Sequence, residues 1–208
     1  MPHLTCICNS FENVDSALNL FENLNIQNIL ALRGDIPDDK TLCNFDFHYA
    51  NELVNYIKQK KDFSIAVAGY PEGHIESPNI DTDIENLKKK VDEGADVIYT
   101  QLFFDNTKIY SYIEKIQKKG INIPVVAGIM PILSKKQIEK MTNLAKISLP
   151  DEVLFAINNC DNLSEFGIEY ATKQCIDLIE NQIHGLHFYT LNRHKSVEAI
   201  LNNIKEKL

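Results

Sequence analysis

Five short segments of this chain hold the residue types able to do chemistry: Ala31-Leu-Arg-Gly-Asp35, Gly69-Tyr-Pro-Glu-Gly-His74, Thr100-Gln-Leu-Phe-Phe-Asp105, Ala127-Gly-Ile-Met-Pro-Ile132 and His187-Phe-Tyr-Thr-Leu-Asn-Arg193. In the first, Asp35 offers a carboxylate able to stabilise positive charge developing beside it. Gly34 permits a tight turn or a close backbone approach to a ligand. An isolated Arg33-Gly-Asp triplet is more often an ordinary exposed turn. The second segment puts the ring of Tyr70, the rigid Pro71 and the ionisable Glu72 and His74 into one loop. Its plainer reading is a well-made turn with solvated side chains. Gln101 ends a hydrophobic run and is a hydrogen-bonding candidate, whereas Phe103 and Phe104 read as core. Arg193 could pair bidentately with a carboxylate, although an arginine near a C-terminus is more often simply solvated.

Each of these segments sits where a hydrophobic run stops. The runs Leu4–Cys8, Asn28–Leu32, Phe63–Ala68, Asp96–Gln101, Pro124–Gly128 and Gly185–Tyr189 read as strands. Amphipathic stretches near 12–24, 47–60, 80–93, 107–119, 134–145, 151–182 and 194–207 read as helices. Near-continuous Val, Ile and Leu in strands that alternate with helices implies a parallel sheet covered by helices. The polar segments then all emerge at the carboxyl ends of strands, where parallel α/β folds build their sites. Gly94, Gly120 and Gly185 stand where helices should end. In the helix near 80–93, Ile80, Ile84, Leu87 and Val91 form a narrow apolar stripe. Asp83, Asn86 and Lys90 form a second stripe at its rim, fit for hydroxyl groups and a phosphate, or for a solvated flank with ion pairs.

With 208 residues and no linker, repeat or low-complexity tract, the sequence reads as one domain over residues 1–208. A formal charge of −8 argues against a nucleic-acid or anionic-membrane binder. No apolar stretch approaches the roughly 18 to 20 residues of a membrane span, and no signal-peptide pattern opens the chain. A cytoplasmic protein is expected. Cys6, Cys8, Cys43, Cys160 and Cys175 form no CxxC pair and read as small buried hydrophobes in a reducing compartment. A metal site on Cys6, Cys8 and His3 lacks the four ligands zinc usually takes. No GxGxxG or Walker pattern occurs, so a Rossmann mode of dinucleotide binding has no support. Six strands fit either an open doubly wound sheet or a (β/α)8 barrel without its first two βα units. Periodicity does not decide between them.

Taken together and in this order, the five segments closely resemble the methylenetetrahydrofolate reductase family, from Pro2 to about Leu191. The resemblance implies a TIM (β/α)8-type barrel represented by its third to eighth strands, hence an incomplete, N-terminally truncated one. It implies FAD as cofactor, NADH or NADPH as co-substrate, a folate substrate, a place in methionine supply, and a homo-oligomer. By the same resemblance His3, Arg33, Gly34, Asp35, Tyr49, Ala50, Tyr70, His74, Asp83, Asn86, Lys89 and Lys90 would contact the flavin. Asp35, Gln101, Gln137, Tyr189 and Arg193 would contact folate, with Asp35 in the catalytic role. Met141 stands where some relatives have a Phe that packs on folate. The family's general-acid Glu, on its first barrel strand, has no match here. The alternative expectation is therefore a flavin-binding or subunit-pairing fragment, with folate reduction reduced by about 10² to 10⁴.

Overall fold

The structure, a computed structural model, describes residues 1–37 and 46–207. It is an α/β fold with a six-stranded parallel sheet in sequence order. The strands are β1 (His3–Thr5), β2 (Asn28–Leu32), β3 (Ser64–Gly69), β4 (Val97–Leu102), β5 (Val125–Ile129) and β6 (Gly185–Phe188). The helices among the described residues are α1 (Phe11–Asn23), α2 (Ala50–Lys60), α3 (Ile80–Asp92), α4 (Asn106–Lys118), α5 (Lys135–Ala145), α6 (Asp151–Asn159), α7 (Leu163–Glu180) and α8 (His194–Ile204). None of them is long and apolar enough to cross a membrane. The chain forms two compact units, one of Met1–Gly69, Ile84–Ile98 and Ile121–Pro124, the other of Tyr70–Asp83, Tyr99–Gly120 and Val125–Leu208.

In the first unit β1 pairs with β2 and β2 with β3, all parallel, with His3 opposite Leu30 and Ile29 opposite Ile65. Leu4, Ile29, Ala31, Ile65 and Val67 are buried, as are Val14 and Leu18 of α1 and Leu53, Val54 and Ile57 of α2, and α2 packs on β2. The Lys58 ammonium donates to the Phe63 carbonyl (3.0 Å) and to Asp96 Oδ2 (2.9 Å). The same Asp96 oxygen accepts the Ile65 N–H at 2.7 Å, so one carboxylate anchors both a lysine and a strand amide. Phe47 meets Phe11 and Tyr56 edge to face, with ring centroids 4.9 and 5.4 Å apart, and the Tyr56 hydroxyl donates to Asp15 at 2.9 Å.

In the second unit β5 pairs with β6 in parallel, Ala127 opposite Leu186 and Ile129 opposite Phe188. Its core is Leu102, Phe104, Met130, Ile132, Ile138, Ile147 and Val153, with Met141, Tyr170 and Tyr189 packed against it. Helix α7 comes closest at Gly167, where an added Cβ would lie 1.8 Å from the Ile132 carbonyl oxygen. No side chain fits there.

Four expectations change. Strand β1 stops at Thr5, and the chain then turns, with Cys8 at a φ of 59°. Cys6 and Cys8 therefore do not share a strand face. Cys6 and Cys175 are buried thiols, but Cys160 is exposed and Cys8 is disulfide-bonded, which corrects the reading of uniformly buried, reduced cysteines. Cys43 lies outside the described residues. The helical region near 151–182 is two helices, because Asn162 leaves helical geometry and its side chain caps the Glu165 N–H of α7. Gly94 and Gly120 do follow helix ends, at φ of 110° and 77°. Gly185 instead opens β6, and the left-handed residue after α7 is Gln182 at 59°.

Candidate functional site

The first unit gathers the Arg-Gly-Asp turn over the end of β1. Gly34 has a φ of 84°, and a Cβ there would stand 3.0 Å from Thr5 Cβ, so glycine is required both by backbone and by space. Arg33 is half-buried, with its Nε–H donating to the Gly34 carbonyl at 3.2 Å, while Asp35 points its carboxylate from an exposed position. His3 is exposed on β1. Tyr49, 61% exposed, caps α2 just before Ala50, and its N–H and that of His48 donate to the Glu52 carboxylate. The Lys90 ammonium reaches the carboxyl end of β3 and donates to the Ala68 carbonyl at 2.6 Å. Lys89 and Asn86 are exposed and bonded to each other at 3.2 Å.

In the second unit Tyr70 and His74 meet edge to face, with ring centroids 4.6 Å apart. His74 Nδ1 accepts the Glu76 N–H at 3.1 Å, which assigns the ring proton of the neutral imidazole to Nε2. Asp83 is buried in the first turn of α3, where the helix N-terminus favours its charge, and Ser77 Oγ–H donates to it at 3.1 Å. Burial, and then the Asp83 carboxylate, lift the phenol of fully buried Tyr112 far above its usual range. The carboxyl-end ladder Tyr99, His187 and Tyr189 has centroid spacings of 5.1 and 5.0 Å. His187 Nε2 lies 2.9 Å from the Thr100 carbonyl, and the Tyr189 hydroxyl donates to the same oxygen at 3.4 Å. Burial pushes the Tyr189 phenol up to about 12, so it is a neutral donor at any ordinary pH. Gly128 makes this convergence possible, since a Cβ there would lie 2.5 Å from that carbonyl and 2.9 Å from His187 Nε2.

Both glutamines singled out from sequence are bonded to the backbone of their own segments. Gln101 Oε1 accepts the adjacent Leu102 N–H at 2.9 Å. Gln137 accepts from Leu133 at 2.8 Å and donates to the Pro131 carbonyl at 3.2 Å, which clamps the loop after β5. Met141, one turn on, is half-buried against the apolar cluster. Arg193 is an exposed residue at the start of α8, behind two left-handed residues, Leu191 and Asn192, at φ of 47° and 60°. Sequence reasoning missed His187 and the roles of Thr100 and Gly128, and left Glu72 open. Only Gly128, a glycine inside a strand, carried a local signal. Among the described residues no group of three or more His, Cys, Asp or Glu stands together as a metal site.

The first unit thus offers two ammonium groups and the Asp35 carboxylate, and the second offers aromatic faces, a neutral phenol donor and the buried Asp83 carboxylate. A fold neighbour is a Clostridium thermocellum protein described as binding two copies of 5-methyl-5,6,7,8-tetrahydrofolic acid, with a TM-score of 0.56 and 14% identity over 99% of this chain and 92% of that one. By sequence, the chain is 40% identical to methylenetetrahydrofolate reductase (NADH) 1 of Arabidopsis thaliana over 98% of its own length, and 39% identical to methylenetetrahydrofolate reductase 1 of Schizosaccharomyces pombe over 97%. It spans only 38% and 35% of those relatives. The 5,10-methylenetetrahydrofolate reductase of Salmonella typhimurium is 33% identical, with 98% of this chain and 69% of that one matched. The methylenetetrahydrofolate reductase family model matches residues 1–205. With nearly its whole length matched by that model, the chain belongs to the methylenetetrahydrofolate reductase family.

Proposed function

We propose that residues 1–208 form one catalytic domain that reduces 5,10-methylenetetrahydrofolate to 5-methyltetrahydrofolate with NADH or NADPH, using FAD. The observation that carries this reading is the family match over residues 1–205, which takes in all five polar segments. A fold shared with a neighbour described as binding methyltetrahydrofolate supports the folate class. On this reading the six strands are the third to eighth of a (β/α)8 barrel, in a cytoplasmic homo-oligomer whose partners are small molecules, with no nucleic-acid or membrane role.

The donor set fits FAD. On α3, Asp83 offers a buried carboxylate for ribityl or ribose hydroxyls, Asn86 an exposed amide, and Lys89 and Lys90 cationic donors for a pyrophosphate. Tyr70 and His74 offer a ring face and an Nε2–H donor, and His3, Arg33, Gly34, Tyr49 and Ala50 complete the proposed contacts. Bound FAD supplies the hydride chemistry between nicotinamide and folate. The chain's own residues bind and orient. Asp35, with its exposed carboxylate, stabilises positive charge on the folate. Gln101 and Gln137 leave their internal bonds to meet the pterin, Tyr189 donates from a neutral phenol, and Arg193 pairs with a folate carboxylate.

A second reading, carried by the resemblance alone, is a flavin-binding or subunit-pairing fragment, because no residue here matches the glutamate that the resemblance makes the general acid. The chain would then retain flavin while folate reduction fell by about 10² to 10⁴. Methylene-folate-dependent NADH oxidation by the 208-residue chain separates the readings, with Asp35→Asn as control. Family-like turnover that Asp35→Asn lowers by roughly tenfold or more supports the reductase. Flavin reduction by NADH without folate turnover supports the second reading, and neither activity refutes both.

A further inference from the structure

Glu72 makes contacts that the reading above leaves unused. Its two carboxylate oxygens accept the Ser148 N–H at 3.2 and 3.1 Å, and Oε2 also accepts the Ser148 hydroxyl at 2.5 Å. These groups stand 76 residues apart. Glu72 lies inside the turn that carries Tyr70 and His74, closed by the Gly73 N–H on the Tyr70 carbonyl at 2.9 Å, with Gly73 at a φ of 87°. Ser148 lies just past α5, the helix of Gln137 and Met141, after Lys146 turns the chain at a φ of 49°. Its neighbour Ile147 is buried in the apolar cluster. Helix α6 begins its cap only at Pro150, so the Ser148 N–H has no place in the helix ladder and takes the carboxylate instead. One bifurcated N–H and one O–H of Ser148 thus donate to this side chain, and a carboxylate accepts them with a charge assistance that a neutral amide lacks.

We propose that Glu72 is a positioning residue: through Ser148 it holds the Tyr70–His74 turn and the end of helix α5 in one fixed relation, so that the flavin-side and folate-side contacts are set together. This rests on the flavin and folate reading for its ligands, but the latch itself rests on the hydrogen bonds alone.

The test uses the whole chain with Glu72→Gln, Ser148→Ala and Ser148→Thr, the last keeping the hydroxyl. FAD dissociation constants from flavin fluorescence are read beside hydrogen exchange of segments 70–77 and 141–150. The expected result is faster exchange in both segments for Glu72→Gln and Ser148→Ala, and FAD binding weakened by roughly three- to tenfold. Ser148→Thr should behave as the parent, and the double variant Glu72→Gln/Ser148→Ala should be no worse than either single one. Exchange that speeds in only one segment, or in neither, overturns the proposal, as does parental FAD affinity in a Glu72→Gln chain whose parent binds FAD. If the parent binds no FAD, the flavin reading fails by itself and exchange alone decides the latch.

Discussion

At the scale of single residues, the arrangement depends on where side chains are missing or buried. Gly128 is the sharpest case, because it lets His187 and Tyr189 converge on the Thr100 carbonyl. Gly128→Ala should cost about 1–3 kcal/mol in denaturant unfolding and displace both rings, since neither the carbonyl nor the imidazole can yield cheaply. A cost under about 0.5 kcal/mol would mean that the ladder is loosely held. The thiols give a second check. Burial, and then the Glu52 charge, raise Cys6 from 9.0 to about 11, and burial raises Cys175 to about 12, while Cys160 is exposed. Thiolate is the reactive form, so a thiol reagent near neutral pH should label Cys160 and spare Cys6 and Cys175 until the chain unfolds. Peptide mapping reads this directly, and rapid labelling of Cys175 in the folded chain would contradict its burial.

At the scale of elements, what the sequence disclosed was periodic and local. β2 appeared with the bounds of its hydrophobic run, and α3 showed both its buried stripe, with Ile84 and Leu87 fully inside, and the buried Asp83 at its rim. The break between α6 and α7 carries its own signal, the polar run Asn158-Asn-Cys-Asp-Asn162 whose last residue caps the Glu165 N–H, but the amphipathic stretches on both sides of it read as one helix. Asn162→Ala should therefore cost about 1 kcal/mol, seen as a lower urea midpoint with the slope unchanged. No loss would mean that packing of Gly167 and Ala171 alone fixes the start of α7. Contacts between distant elements were illegible for a plainer reason. Thr100 and His187 are 87 residues apart, as Glu72 and Ser148 are 76, and neither pair shares any period or spacing. Gln101 and Gln137 were found as residue types, but their bonds to their own backbone segments are a matter of local geometry.

At the scale of the whole molecule, buried neutral acids shape the response to alkali. Tyr170 and Tyr189 rise from 10.0 to about 12 on folding, and Cys6 and Cys175 from 9.0 to about 11 and about 12, with desolvation the leading cause in each. The folded chain thus keeps protons that the unfolded chain releases. Their stabilising effect is complete below about pH 9 and is lost as pH climbs through the folded values of about 11 to 12. The urea midpoint should be flat below pH 9 and fall steadily above it. A midpoint that rises there would contradict the burial of these groups. The family match takes in residues 1–205, and the flavin-dependent reductase activity is the proposal built on it. That central claim is tested most directly by the visible absorption of the purified 208-residue chain with FAD, followed by anaerobic addition of NADH. A yellow, protein-bound flavin that bleaches with NADH is the expected result. A chain that stays colourless after FAD is added and the excess removed would contradict it.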